Sequence, residues 1–339
     1  MSDIILEVKD LNVEFDTYGG IVKAVRGVDF SVKKGKTLAI VGESGCGKSV
    51  TVQSIMGLIP MPPGRVTKGS AKLKGKEILG LSTKELNEIR GKEVGMIFQD
   101  AMSSLNPTMK IGDQIAETLK VHRGMSHGEA IKKAIELLAK TRIPEPERRA
   151  NQYPFEFSGG MLQRSMISVA LACSPTLLIA DEPTTALDVT IQMQILELIK
   201  DLQKTEQMSL IIITHDLGVV AQVADEVAVM YAGKIAETGP VDNIFYEASH
   251  PYTEGLRMAM PQNDEHVHKR LRPIEGSPPD LFSPPKGCGY FARCPYAMKI
   301  CEKNDPLKFL VKPNHYSFCW LSHEQAPKVK REIFVPRSQ

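Results

Sequence analysis

An α/β fold is what this sequence predicts, and three observations carry that expectation. Short apolar runs that read as buried strands alternate with helix-like segments along the chain. One such run, Thr37-Leu38-Ala39-Ile40-Val41, opens into Gly42-Glu43-Ser44-Gly45-Cys46-Gly47-Lys48-Ser49, and a helix-like segment over residues 50–58 follows. Strand, glycine-rich loop and helix in this order predict a phosphate-binding loop. Glycines let the backbone turn its N–H groups toward phosphate oxygens, and the helix N-terminus adds favourable partial charge. Gly42, Ser44, Gly45, Cys46, Gly47 and Val50 are the expected backbone contacts. Lys48 is expected at the β/γ-phosphates and the Ser49 hydroxyl on Mg²⁺. The loop thus predicts a nucleotide, and the rest of the chain must say what the nucleotide is for.

Composition narrows the class. A chain of 339 residues suits one large α/β domain with an appendage, and 42% hydrophobic with 24% charged residues is ordinary globular composition. The net charge of +2 argues against a polyanion-binding surface, so no nucleic-acid partner is expected. The longest apolar runs, such as Leu210-Ile211-Ile212-Ile213, fall far short of a membrane span. Residues 1–9 carry acids and no signal-peptide pattern, which predicts a cytoplasmic chain.

Taken in order, residues 4–15 and 22–32 read as strands joined by a turn at Tyr18-Gly19-Gly20. Phe15 and Tyr18 are candidates to stack on a nucleotide base, with packing inside their own hairpin as the other reading. Pro60-Met61-Pro62-Pro63-Gly64 breaks the chain after the loop helix. Short β pieces follow over 65–80, then a helix over 83–90 and a buried strand over 94–98 that ends at Gln99-Asp100. Residues 111–142 turn helical, with Ile131, Ile135 and Leu138 on one face, and Pro144 and Pro146 close the region. A helical subdomain, about residues 101–175, is thus expected to interrupt the nucleotide core.

Ser158-Gly159-Gly160 stands where an N-cap opens a helix running to Cys173, and it offers a second anion site at a positive helix end. Leu177-Leu178-Ile179-Ala180 is a buried strand ending in Asp181 and Glu182. Asp181 is expected to orient Mg²⁺ and Glu182 to polarise the attacking water. A helix with Ile191, Ile195, Leu198 and Leu202 on one face follows the loop at 184–188. His215 comes after the strand 209–213, at the sheet edge where α/β folds bind ligands, and is expected at the γ-phosphate. Residues 227–237 read as a hairpin and 241–260 as helical pieces. Prolines at 261, 273, 278, 279, 284 and 285 then mark a meandering extension, residues 261–339.

These residues together resemble the ATP-binding subunits of ABC transporters over essentially the whole chain. Residues 42–49 resemble Walker A, Gln99 the Q-loop, Ser158-Gly159-Gly160 the signature, and 177–182 Walker B. Ala186-Leu187-Asp188 resembles the D-loop and His215 the switch histidine. Finer features resemble the dipeptide/oligopeptide (peptide/nickel) importer branch. They are Phe98-Gln99-Asp100 before Ser104-Leu105-Asn106-Pro107, the Gly-Gly-Met signature, Met230-Tyr231-Ala232-Gly233, His250-Pro251-Tyr252-Thr253 and a cysteine-bearing tail. Departures are Met161 where many members have Gln, Leu162 where this branch often has Arg, and Ala101 in place of a proline.

The resemblance implies a P-loop NTPase core over residues 1–260 with an antiparallel β subdomain, the helical insertion and the tail. It implies an ATPase at the cytoplasmic face of the membrane, beneath two permeases fed by an external peptide-binding protein. A homologous but distinct ATPase chain completes each ATP sandwich, with Ser158, Gly159 and Gly160 acting in trans and Asp188 beside them. Gln99, with Ser49 and Asp181, is an expected Mg²⁺ contact. Import of nickel or another small solute, and a soluble non-transport ATPase, are the alternative functions.

Four of the six cysteines, Cys288, Cys294, Cys301 and Cys319, lie in the tail. Four thiolates suit an iron–sulfur cluster or a structural zinc. The spacings lack the tight pairs common in zinc ribbons, and the resemblance favours [4Fe–4S], with zinc second. Cys46 reads as a passive loop position and Cys173 as core.

Overall fold

The computed structural model describes residues 3–185, 187–260 and 273–329. In chain order the elements begin β1 (Ile4–Thr17), β2 (Gly20–Lys33), β3 (Thr37–Val41), α1 (Lys48–Ile55), β4 (Gly64–Leu73), β5 (Lys76–Glu77) and α2 (Thr83–Ile89). Next come β6 (Val94–Ile97), α3 (Ala101–Ser104), α4 (Ile111–Arg123), α5 (His127–Lys140), α6 (Pro146–Ala150) and α7 (Gly159–Leu171). They are followed by β7 (Leu177–Asp181), α8 (Val189–Glu206), β8 (Ser209–Thr214), α9 (Leu217–Val223), β9 (Glu226–Tyr231) and β10 (Lys234–Pro240). The last are α10 (Val241–Tyr246), α11 (Pro251–Met258), α12 (Lys299–Lys303), β11 (Phe309–Lys312) and β12 (His315–Ser317). The described residues divide into two compact units: those within 1–5, 32–37 and 80–213 form one, and those within 6–31, 38–79 and 214–339 the other.

In the second unit an antiparallel sheet runs in the order β2-β1-β4-β5. Its β1 buries Leu6 and Val8 and then Leu11 and Val13, a change of parity along one strand. A register irregularity between Lys9 and Asn12 explains it: the extra residue lets both pairs face the core. Gly69 on β4 sits across from this bulge, where a Cβ would lie 2.7 Å from Leu11 Cα. The same unit pairs β3 parallel with β9 and β9 antiparallel with β10.

The tail joins this sheet directly, because β12 pairs with β10 and β11 with β12. A buried polar pair secures the junction. Glu237 on β10 and His315 on β12 are both 0% exposed, and their Oε1 and Nε2 lie 2.7 Å apart. Two backbone donors, Ser249 N at 2.6 Å and His250 N at 2.9 Å, complete the carboxylate's shell. A buried carboxylate is tolerable only with such partners.

In the first unit β6, β7 and β8 run parallel, and every residue of β7 and β8 is buried. That explains their unbroken apolar runs, since a parallel sheet covered on both faces has no polar side to alternate with. The helical stretch has clear local punctuation. Ser126 and Glu129 form a reciprocal capping box at the start of α5, and Gly124 ends α4 in the left-handed region at φ 64°. Two details differ from the sequence expectation. The buried face of α5 is Ala130, Ala134, Leu137 and Leu138, whereas Ile131 and Ile135 are only half-buried. Small alanines let the neighbouring helices α4 and α7 approach, so the seam is turned by one residue from the larger side chains. Pro146 starts α6 rather than ending the helical region, because a proline at the first helical position lacks an N–H that would be unpaired there anyway.

Among the described residues no helix is long and apolar enough to cross a membrane. Removing the imidazole in His315→Ala should destabilise the fold by about 3 kcal/mol, because it strips a buried carboxylate of one partner. Denaturant unfolding measures it, and a change under about 0.5 kcal/mol would show that the backbone donors suffice.

Candidate functional site

The loop at residues 42–49 sits where β3 ends beside β9. Gly42 has φ 155°, and a Cβ there would lie 2.2 Å from the Met230 carbonyl oxygen. Gly47, at φ 102°, would bring a Cβ to 2.5 Å from the Ala24 carbonyl oxygen. Both glycines therefore answer to space as well as to backbone angle. Lys48 is 5% exposed, and its Nζ donates to the carbonyl oxygens of Gly42 at 2.8 Å and Glu43 at 3.1 Å. The ammonium is held within the curve of the loop, the position of a phosphate-binding lysine. Ser49 and Val50 are half-buried in the first turn of α1, and Ser44 and Gly45 are exposed. Helix α1 ends at Ile55, three residues short of the expected 58, as Gly57 turns into the left-handed region at φ 61°.

Cys46 is buried, its amide donates to Glu43 O at 3.3 Å, and its carbonyl accepts from Gly233 N at 3.0 Å. Burial pushes its thiol above the ordinary cysteine value, which keeps it protonated and unreactive at neutral pH.

At the end of β7 the two carboxylates diverge. Asp181 is 2% exposed. Glu182 is half-buried and adopts φ 47°, a left-handed conformation costly for a residue with a Cβ. Its amide donates to Ile213 O at 2.9 Å, and its Oε2 accepts from Thr185 Oγ1 at 2.9 Å and from Gln99 Nε2 at 3.3 Å. Backbone strain and two side-chain donors thus aim one carboxylate. Gln99, from the segment after β6, is brought to Glu182 as an exposed partner.

Ser158 caps α7, its hydroxyl accepting from Met161 N at 3.4 Å. Ser158 and Gly159 are exposed. A Cβ on Gly160 would meet Ile191 Cγ2 of α8 at 3.0 Å, so that glycine also serves helix packing. Asp188 caps α8 by accepting from Ile191 N at 3.0 Å, while Ala186 lies outside the described residues. His215 is exposed between β8 and α9. Phe15 is half-buried, and a Cβ on Gly64 of the paired strand would meet its ring at 3.1 Å; Tyr18 is fully exposed.

Cys288, Cys294, Cys301 and Cys319 line one cavity with Tyr290 and Trp320, and no disulfide joins any of the four among the described residues. Burial, then the neighbouring Cys301 and Cys294, pushes the Cys288 thiol up to about 11. Trp320 donates from Nε1 to Asn304 O at 3.0 Å and packs against Phe309. Among the described residues no three His, Cys, Asp or Glu side chains converge on a single metal ion.

Residues 25–185 match the family described as ABC transporter, and residues 236–301 match the oligopeptide/dipeptide transporter C-terminal region. The oligopeptide transport ATP-binding protein OppD of Bacillus subtilis is 60% identical over 326 residues, 96% of this chain and 91% of that protein. The chain belongs to the ABC transporter ATP-binding subunits of the oligopeptide/dipeptide importer family. The dipeptide transport ATP-binding protein DppD of the same organism is 55% identical over 95% of this chain and 96% of its own length. Among solved structures, a dimeric ATP-binding cassette in a post-hydrolysis state bound to ADP and Pi aligns with TM-score 0.63 and 28% identity. It covers 70% of this chain and 98% of its own. This ABC cassette is accordingly an ATP-binding, ATP-hydrolysing fold.

Sequence reasoning missed Thr185, which holds Glu182, and Arg293, whose guanidinium grips Glu43 of the loop. It quoted Tyr231 and Tyr252 without assigning them a role, yet their rings meet 4.5 Å apart and Tyr252 Oη accepts from Glu43 N at 2.9 Å.

Because its thiol is pushed up, Cys46 should alkylate at least about tenfold more slowly than free cysteine at pH 8. Its rate should climb only as pH passes above the ordinary thiol range. A time course with iodoacetamide across pH 7 to about 10 checks this, and a rate matching free cysteine would contradict it.

Proposed function

We propose that the chain is the ATP-hydrolysing motor subunit of a membrane importer for di- or oligopeptides. The observation that carries it is the shared identity over nearly the full length, tail included, with oligopeptide and dipeptide transport ATP-binding proteins, joined to the loop geometry around Lys48. The subunit works as a pair with a homologous ATPase chain beneath two permeases, peripheral to the inner face of the membrane. We keep residues 1–260 as the cassette and 261–339 as its extension.

The roles follow from chemistry at each residue. The backbone of 42–50 and Lys48 bind the phosphates. Ser49, Asp181 and Gln99 are oxygen donors of the kind Mg²⁺ takes, and the ion supplies charge neutralisation at the transferring phosphoryl group. Glu182 takes the proton of the attacking water, its carboxylate aimed by Thr185 and Gln99. His215 contacts the γ-phosphate, and Phe15 stands beside the base. Ser158, Gly159 and Gly160, with Asp188, serve the partner chain's nucleotide from the open N-terminus of α7. Because ATP contacts both chains differentially, it favours the closed pair, and loss of those contacts after hydrolysis releases it. Phe98 and Met102, exposed on either side of Gln99, are apolar groups suited to a membrane partner.

Cys288, Cys294, Cys301 and Cys319, which line one cavity, would hold an iron–sulfur cluster. A zinc ion requires four sulfurs about 2.3 Å from one point, whereas a polynuclear cluster spreads its ligands around a larger body. Cys288, Cys294, Cys301 and Cys319 around one cavity, at spacings that lack the tight pairs of zinc ribbons, support [4Fe–4S] ahead of zinc. The cluster would supply a structural cross-link.

Glu182→Gln should still bind MgATP yet lose at least about a hundredfold in turnover, as removal of a general base does. Steady-state ATPase assay with a parallel binding titration tests it, and unchanged turnover sinks the assignment. Anaerobic purification followed by iron and sulfide analysis is expected to give both elements in near-equal amounts; stoichiometric zinc without sulfide would overturn the cluster.

A further inference from the structure

Glu43 lies inside the phosphate-binding loop, yet its carboxylate turns away to a residue of the tail. Arg293 donates from Nη1 to Glu43 Oε2 at 2.6 Å and from Nη2 to Glu43 Oε1 at 2.9 Å, a parallel two-bond pairing. The rest of the guanidinium is equally engaged. Nη1 also donates to Tyr231 Oη at 3.1 Å, Nη2 to Ile274 O at 3.2 Å, and Nε to Glu275 O at 2.9 Å. Every N–H of the group has an acceptor, and its side chain is only 5% exposed. The Glu43 contacts hold its charge so firmly that its pKa is raised further, although burial works against it.

The same loop residue is held by its backbone too. Glu43 N donates to Tyr252 Oη at 2.9 Å, and Tyr252 is 0% exposed. Tyr290 packs against both Tyr231 and Tyr252, with centroids 5.3 and 5.4 Å away. Arg293 is the immediate chain neighbour of Cys294, and Tyr290 lines the same cavity as the four cysteines. A continuous rigid path therefore runs from the cysteine cavity to the peptide that follows Gly42.

We propose that Arg293 is a positioning residue for nucleotide binding: through Glu43 it sets the path of the phosphate-binding loop, and so ties that loop to the cysteine module. The physical reason is pre-organisation. Loop N–H groups bind phosphate best when they already point inward, and a clamp that fixes one residue of the loop removes the cost of ordering it on binding. A surface ion pair would carry little weight, but this one is shielded and forked. A mere staple for the tail would give the same contact; it differs in what nucleotide affinity does when the fork is lost. The proposal rests on the reading that the loop binds nucleotide.

The test is MgADP binding to the full chain, by isothermal titration, alongside thermal unfolding. Wild type binding with Lys48→Ala not binding establishes the loop as the site; no binding by wild type defeats that reading itself. Arg293→Lys keeps the charge but loses the fork, and Glu43→Gln breaks the pair from the loop side. Each should raise Kd about tenfold, the size of a lost charge-assisted hydrogen bond. The double variant should be no weaker than either single one, since both remove one interaction. The melting temperature should account for none of the change. Wild-type affinity in folded Arg293→Lys or Glu43→Gln overturns the proposal, and so does a double variant whose losses add. Should Arg293→Lys not fold, Glu43→Gln with and without Arg293→Gln decides it by the same comparison.

Discussion

The loop's passage past the Met230 carbonyl of β9 is the constraint on which the nucleotide site depends. A side chain on Gly42 would overlap the Met230 carbonyl oxygen, and one on Gly47 the Ala24 carbonyl oxygen. Removing both Cβ atoms lets the backbone thread between β9 and β2 at angles closed to other residues. The direction of the loop N–H groups follows from that path, as does the burial of Lys48 against the two carbonyl oxygens it bonds. The pairing of β3 with β9 sets where the passage lies.

Elsewhere the fold holds conformations that its chemistry requires and local preference resists. Glu182 is a non-glycine residue in the left-handed region, kept there by the hydrogen bond its N–H donates to the Ile213 carbonyl oxygen and by the Thr185 hydroxyl on its carboxylate. Strain of this kind persists only where surrounding contacts over-determine it. Gly160 answers to two demands at once, an exposed helix start and the close approach of Ile191. A substitution there alters packing as well as any anion contact, so loss of activity at Gly160 alone does not report on phosphate binding.

The tail is part of the second unit's core by physical criteria. Strand β12 extends the sheet, His315 and Glu237 are sealed together, and Tyr290 packs into the aromatic cluster with Tyr231 and Tyr252. Burying a carboxylate, an imidazole and a guanidinium in one unit is costly unless each finds its partners, and here the partners come from both the tail and the cassette. The cysteine cavity is consequently not an isolated appendage; its neighbours bond to the loop.

Local signals were legible. Buried strands showed as unbroken apolar runs, the capped start of α7 as Ser158 before two glycines, the loop as glycines between strand and helix, and two acids at the end of β7 as a strand terminus. Such features depend on residues a few positions apart, so the sequence alone determined the fold class, the family and the candidate site. The register of α5 was not legible, because isoleucines marked a plausible face while the alanines chose the real one through close helix approach. Nor was the pairing of Glu43 with Arg293, which are 250 positions apart. A glutamate in a loop and an arginine beside a cysteine carry no mark of each other. Only the sheet and the aromatic cluster bring them within bonding distance, and long-range contacts of that kind are decided by packing, not by local preference.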